Sequence, residues 1–184
     1  MRAFVALEIS DPKVLDSMVA FQRELSATGA DLKTVERENL HFTVKFLGEI
    51  TEGQAREVGE RLKRLRLGRA DVELRGVGAF PNVSRPNVIW VGVPQAHEER
   101  VRPIAQGAIA ALEGIGESDK RPFTAHVTLG RVRPARGIGE LTSVLLSNSD
   151  RSFGGVRLVE LKLKSSVLGP RGPTYSDIGR YPLA

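Results

Sequence analysis

The sequence predicts an α+β fold, bilobal, in which two pseudo-symmetric halves each hold an antiparallel sheet flanked by helices, with a cleft between them. Three observations carry this. Strand-like and helix-like segments alternate in short runs, their order recurs at a fixed offset, and each recurrence holds the same phrase. His41 opens "HFTVKFLGE" and His126 opens "HVTLGRVRP", in a chain with only three histidines.

Taken in order, "RAFVALEI" (2–9) is apolar and β-prone and reads as a first strand rather than a signal peptide. Asp11 and Pro12 open a helix whose apolar residues Val14, Leu15, Met18, Val19 and Leu25 recur at helical spacing, with Gly29 as the stop. Segments 32–35 and 40–50 read as strands, and Thr51 caps a helix carrying Val58, Leu62 and Leu65. Residues 70–80 alternate as a strand. "PNVSRP" (81–86), with two prolines, reads as a linker. A strand at 87–93, a helix at 95–113, a loop at 114–122 and a strand at 123–132 follow. A helix at 138–147, a long irregular strand at 155–168, a turn at 169–173 and a last strand at 174–183 close the chain. Shifting the chain so that His41 falls on His126 lays strand on strand and helix on helix. Residues 1–184 are therefore expected to form a single two-lobed domain with an internal repeat at that offset.

The totals narrow the classes. Apolar residues make up 41% and charged residues 27%, as in ordinary globular proteins. No run approaches the roughly 18 apolar residues of a membrane span. A cytoplasmic, monomeric protein that does not engage membranes is expected. The absence of cysteine excludes disulfides, thiol nucleophiles and cysteine-ligated metals. Twenty of the 27 basic residues are Arg, and the net charge is +5. Arg presents a rigid donor fork suited to phosphate, so a polyanionic partner fits.

In a strand, residues i and i+2 share a face. His41 with Thr43, and His126 with Thr128, thus pair an imidazole with a hydroxyl, while Phe42 and Val127 turn to the core. Average residue usage gives a Thr at +2 between apolar neighbours at about 1% of histidines, so a pair is expected at roughly one chance in ten thousand. Two imidazoles suit displacement at phosphorus: one takes a proton from the nucleophile and the other gives one to the leaving oxygen. Hydroxyls and an Arg would hold the remaining phosphate oxygens. Neither His stands in a zinc-binding spacing. His97 reads as a surface residue, and the charges of "RLKRLRLGR" (61–69) as a solvated helix face.

The paired phrases resemble the two-histidine phosphoesterase superfamily. "MRAFVALEI", "LHFTVKFLGE" (40–49), "RPFTAHVTLGR" (121–131) and "GPRGPTY" (169–175) look like its RNA 2',3'-cyclic phosphodiesterase branch, historically called 2'-5' RNA ligases. The resemblance spans the chain. It implies opening of RNA 2',3'-cyclic phosphate ends, with tRNA-derived ends among the candidates, to 2'-phosphates without metal or cofactor. It implies His41 as proton donor to the 3'-oxygen, His126 as the base that activates water, and Thr43 and Thr128 as phosphate ligands. Arg131 matches the family's phosphate clamp, although strict alternation puts it off the face of His126; Gly130 offers a bend or bulge there. Lys45 has the parity to face the cleft, and Tyr175 could stack on a base. The alternatives are action on other cyclic or 2',5'-linked nucleotides, reversible 2'-5' RNA end joining, and a non-catalytic RNA-binding module.

Overall fold

The computed structural model describes residues 1–184. Its elements follow from local chemistry. β1 (Arg2–Glu8) sends Ala3, Val5 and Leu7 into the core and leaves Phe4, Ala6 and Glu8 on the other face. In α1 (Pro12–Ser26), the Asp11 carboxylate accepts from the free backbone N–H groups of Lys13 and Val14, at 2.9 and 3.3 Å, while Pro12 occupies the first turn. β2 (Asp31–Thr34) and one 3₁₀ turn (Arg37–Asn39) lead into β3 (His41–Glu49). α2 (Glu52–Lys63) begins with a reciprocal capping box between Thr51 and Gln54.

The predicted strand at 70–80 is divided at Gly76 into β4 (Ala70–Arg75) and β5 (Val77–Asn82). Residues 81–86 are not a linker. The Asn82 side chain accepts from the backbone N–H groups of Ser84 and Arg85, folding a tight hairpin from β5 into β6 (Arg85–Val91). α3 (Gln95–Ala111) follows. β7 (Val127–Arg133) starts later than the predicted 123, because residues 123–126 have no ladder partner. α4 (Ile138–Ser147) precedes β8 (Ser152–Leu158), β9 (Glu160–Gly169) and β10 (Gly172–Pro182); the long irregular strand is thus two strands separated at Val159.

The main sheet is antiparallel, in the order β10-β9-β1-β3-β7-β6-β5, with β2 pairing along the far part of β7; β4 and β8 form a separate ribbon. The two expected sheets are joined edge to edge by one ladder pair, Phe42 with Val127. Elements related by the repeat take matching places: β1 and β6 flank β3 and β7, and α1, α2 match α3, α4. Even the counterpart of β2 in the second half survives as a fragment. Glu117 N–H donates to Leu47 O at 2.9 Å, where Leu32 faces Val132 in the other half.

One core of 44 buried residues lies between the sheet and its helices. Phe42 is fully buried in it, on the strand face opposite His41, so Phe42→Ala is expected to cost about 3–5 kcal/mol. No helix is long and apolar enough to cross a membrane.

Candidate active site

The face of the sheet turned away from the helices carries a cavity of about 460 Å³. His41, Thr43, His126 and Thr128 line it together, joined by Arg131 and Tyr175. The junction of β3 and β7 brings both phrases to one place: Phe42 and Val127 pair and turn to the core, so the residues beside them turn toward the cavity.

Each imidazole is oriented in the same way. His41 donates from Nδ1 to the carbonyl of Asn39 at 2.6 Å, and His126 from Nδ1 to the carbonyl of Thr124 at 2.8 Å. A carbonyl can only accept, so Nδ1 must carry the proton and Nε2 is left for chemistry. Asn39 and Thr124 occupy equivalent positions in the repeat, each two places before its histidine. His41 Nε2 lies 2.9 Å from Thr43 Oγ1. Glu98, on α3, holds the approach to His126 by accepting from Ala125 N–H at 3.0 Å. Neither backbone carbonyl nor Glu98 could be found by side-chain motif.

A bulge follows each phrase. Thr43 pairs with Ala6 but Lys45 with Val5, so Val44 is the extra residue; Thr128 pairs with Trp90 but Gly130 with Ile89, so Leu129 is. The extra residue reverses the alternation. Arg131 therefore comes to the cavity side, opposite Val88. The same reversal removes Lys45: it faces Val5 on the core side, and its Nζ reaches the carbonyl of Glu117 at 3.2 Å. Phe46, the counterpart of Arg131 in the first half, lines the cavity instead. Gly130 serves a different purpose from the expected bend. A Cβ there would sit 2.9 Å from the carbonyl of Lys33, so glycine lets β2 close on β7. Gln22 on α1 anchors the bulge, donating to the carbonyls of both Val35 and Leu129 at 2.9 Å.

The surroundings of the two histidines differ. His41 is enclosed by Phe4 at 5.2 Å and Tyr175 at 5.9 Å between ring centroids. Burial is the main cause that pushes its pKa below the ordinary 6.5, with the Lys164 charge acting in the same direction and the Asn39 carbonyl and Glu8 opposing. His126 meets Phe80 edge-on at 5.1 Å. Beneath His41, Lys162 and Lys164 are only 5% and 6% exposed. Both bind Glu8 and Asp177, with Lys162 2.5 Å from Glu8 and Lys164 3.0 Å from Asp177. Burial pushes the Glu8 carboxyl up, and the two lysines together outweigh it, so its pKa ends below the ordinary carboxylate value.

His97 is elsewhere, half-buried, its Nδ1 accepting from Glu73 N–H at 2.9 Å. It borders a larger cavity of about 510 Å³ whose Arg75 and Asp150 neutralise each other at 2.9 Å. The basic stretch at 61–69 does not line the cavity that holds His41 and His126; Arg61 pairs with Glu57 on the helix surface.

Two imidazoles and two hydroxyls around one cavity, with a guanidinium beside them, form an arrangement for acid–base attack at phosphorus. Comparison with known proteins agrees with that class. The profile described as LigT like phosphoesterase matches residues 9–90. A protein of Aeropyrum pernix named RNA 2',3'-cyclic phosphodiesterase is 41% identical over 155 residues, 84% of this chain and 88% of its own. One of the same name from Archaeoglobus fulgidus is 35% identical over 178 residues, covering 97% and 98%. A Thermus thermophilus crystal structure superposes over 100% of this chain and 98% of its own, with a TM-score of 0.78 and 30% identity. Escherichia coli LigT with 3'-AMP shares the fold at a TM-score of 0.79 and 19% identity, over 99% and 97%. The chain belongs to the LigT-like phosphoesterase family.

Proposed function

We propose that the protein hydrolyses RNA 2',3'-cyclic phosphate ends to 2'-phosphate ends. The observation that carries the reading is the matched pair of histidines in one shared cavity, each with its Nδ1 proton committed to a backbone carbonyl, which leaves Nε2 for chemistry; that of His41 meets the Thr43 hydroxyl there. The names of the relatives at 41% and 35% identity support the same substrate.

In this reading the cyclic phosphate lies between the two imidazoles. Neutral His126 accepts a proton from water at Nε2, and the water oxygen attacks phosphorus. The bond to the 3'-oxygen breaks on the opposite side, and protonated His41 gives its Nε2 proton to that oxygen. The ribose regains its 3'-hydroxyl and the phosphate stays on the 2'-oxygen. Thr43 and Thr128 donate to the non-bridging oxygens, and Arg131 binds the charge that grows there. The free protein holds His41 below its ordinary pKa, and the arriving phosphate anion favours the imidazolium, so substrate helps load the acid. Tyr175, against His41, offers its ring to a base. The domain is a single two-lobed unit spanning residues 1–184, acting as a cytoplasmic monomer.

The test is incubation with a short RNA ending in 2',3'-cyclic phosphate, the product read by ³¹P NMR. A 2'-phosphate is expected. A 3'-phosphate would reverse the leaving group and overturn the assignment, and no turnover by folded protein would overturn the substrate.

A further inference from the structure

The cavity carries more positive charge than one cyclic phosphate uses. Besides Arg131 it is lined by Arg2, Lys33 and Arg171, against one acid, Glu36. These three cations belong to no ion pair, so their charge is available to an anion in the cavity. They come from distant parts of the chain and meet at one end of the cavity. Arg2 lies cross-strand from Ser166 and stacks over the Phe46 ring at 5.1 Å. Lys33 lies beside Arg131 in the β2–β7 ladder. It also reaches across to the turn between β9 and β10: its Nζ lies 3.1 Å from where a Cβ on Gly172 would be, next to Arg171.

Arg2 marks the far end of the cavity, and Lys33 stands beside Arg131. Thr43 pairs with Ala6 on β1, four residues from Arg2, which is about 13 Å along a strand. The Arg2 guanidinium is held over Phe46, away from Thr43 along the strand. Building on the reaction proposed above, we infer that Arg2, Lys33 and Arg171 form a second phosphate subsite, so that the substrate carries a further phosphate joined to the nucleoside that bears the cyclic one. That second phosphate is either the internucleotide phosphodiester of an RNA strand or a terminal 5'-phosphate on a single nucleotide; both present the same anionic oxygens.

The test uses product-type ligands, so it does not depend on turnover. Calorimetry would compare cytidine 2'-phosphate, cytidine 2',5'-bisphosphate and a cytidine dinucleotide ending in 2'-phosphate. The dinucleotide is expected to bind more tightly than cytidine 2'-phosphate by on the order of tenfold, the scale of one charge-assisted hydrogen bond. Its affinity should also fall more steeply with salt, by about 0.7 in the log–log slope for one added single-strand phosphate. The combined variant R2M/K33M/R171M should lose both differences. If that variant does not fold, the salt slopes of the unmodified protein decide alone.

A bisphosphate that equals the dinucleotide upholds the subsite and assigns it to a phosphate of either source. A bisphosphate that matches cytidine 2'-phosphate, with the dinucleotide still preferred, assigns it to the RNA strand. Equal affinity and equal salt slopes for all three ligands overturn the subsite, even where cyclic ends are hydrolysed. A dinucleotide preference in a protein that hydrolyses no cyclic end would leave the subsite standing and remove the reaction.

Discussion

The segments around His41 and His126 share a backbone design and differ in environment. In both, a carbonyl two residues upstream accepts the Nδ1 proton, and in both a bulge follows the threonine. Yet His41 sits between Phe4 and Tyr175 above two buried lysines, whereas His126 meets a single ring, Phe80. A repeat can copy geometry without copying the surroundings. Acid–base catalysis across one phosphate needs the matched positions, so that the two groups stand opposite each other.

The largest expected effect breaks the match outright. Replacing either His with Ala should lower turnover on cyclic phosphate ends by about 10²–10⁴-fold, the typical contribution of one general acid or base. Steady-state rates on both variants, with circular dichroism to confirm folding, would check this. Rates within a few-fold of the unmodified protein would remove the two-histidine mechanism. Next comes the residue at which the halves differ most, Arg131 against Phe46. Arg131→Met should cost on the order of 10²-fold in kcat if the guanidinium stabilises developing charge. A change confined to KM would make it a ground-state ligand instead.

Gln22 tests the frame beneath the second phrase. Its amide joins α1 to the bulge at Leu129 and to Val35, so Gln22→Ala should destabilise the protein by about 1–3 kcal/mol. Urea unfolding measures this. An unchanged midpoint would mean that the bulge holds itself.

What the sequence discloses and what it hides divide along the same physical line. The elements rest on local signals, and Asp11 with Pro12, or Thr51 with Gln54, are legible because a cap is made within three residues. The cleft-facing positions of His41, Thr43, His126 and Thr128 follow from strand parity alone. Parity fails beyond the threonines because a bulge depends on the neighbouring strand. The bulge at Val44 turns Lys45 away and the one at Leu129 turns Arg131 in. The turn at residues 81–86 reads wrongly as a linker because proline content does not distinguish one from a hairpin closed by an Asn side chain. Lys162 and Lys164 are hidden for a related reason. "LKLK" shows alternation in β9 but not the carboxylates of Glu8 and Asp177, which β1 and β10 bring to it.

The smallest effect concerns the His41 proton itself. Burial is the main cause that lowers the His41 pKa in the free protein. As the acid, His41 must be protonated, so the share of free protein that holds the acid loaded falls as pH rises through that pKa, which lies below 6.5. Tyr175→Ala would admit water beside the ring, weaken the main cause of the shift, and move the His41 titration, followed by NMR of its ring protons, upward toward 6.5. An unmoved titration would show that Tyr175 does not set the burial of His41. Stability supplies a second readout with a fixed sign. Between the unfolded value of 6.5 and the lower folded value, the unfolded chain binds the proton that the folded protein refuses. Stability therefore falls as pH drops through that window. His41→Asn should flatten that slope in denaturation curves measured across it, and an unaltered slope would show that burial of His41 does not set its proton affinity.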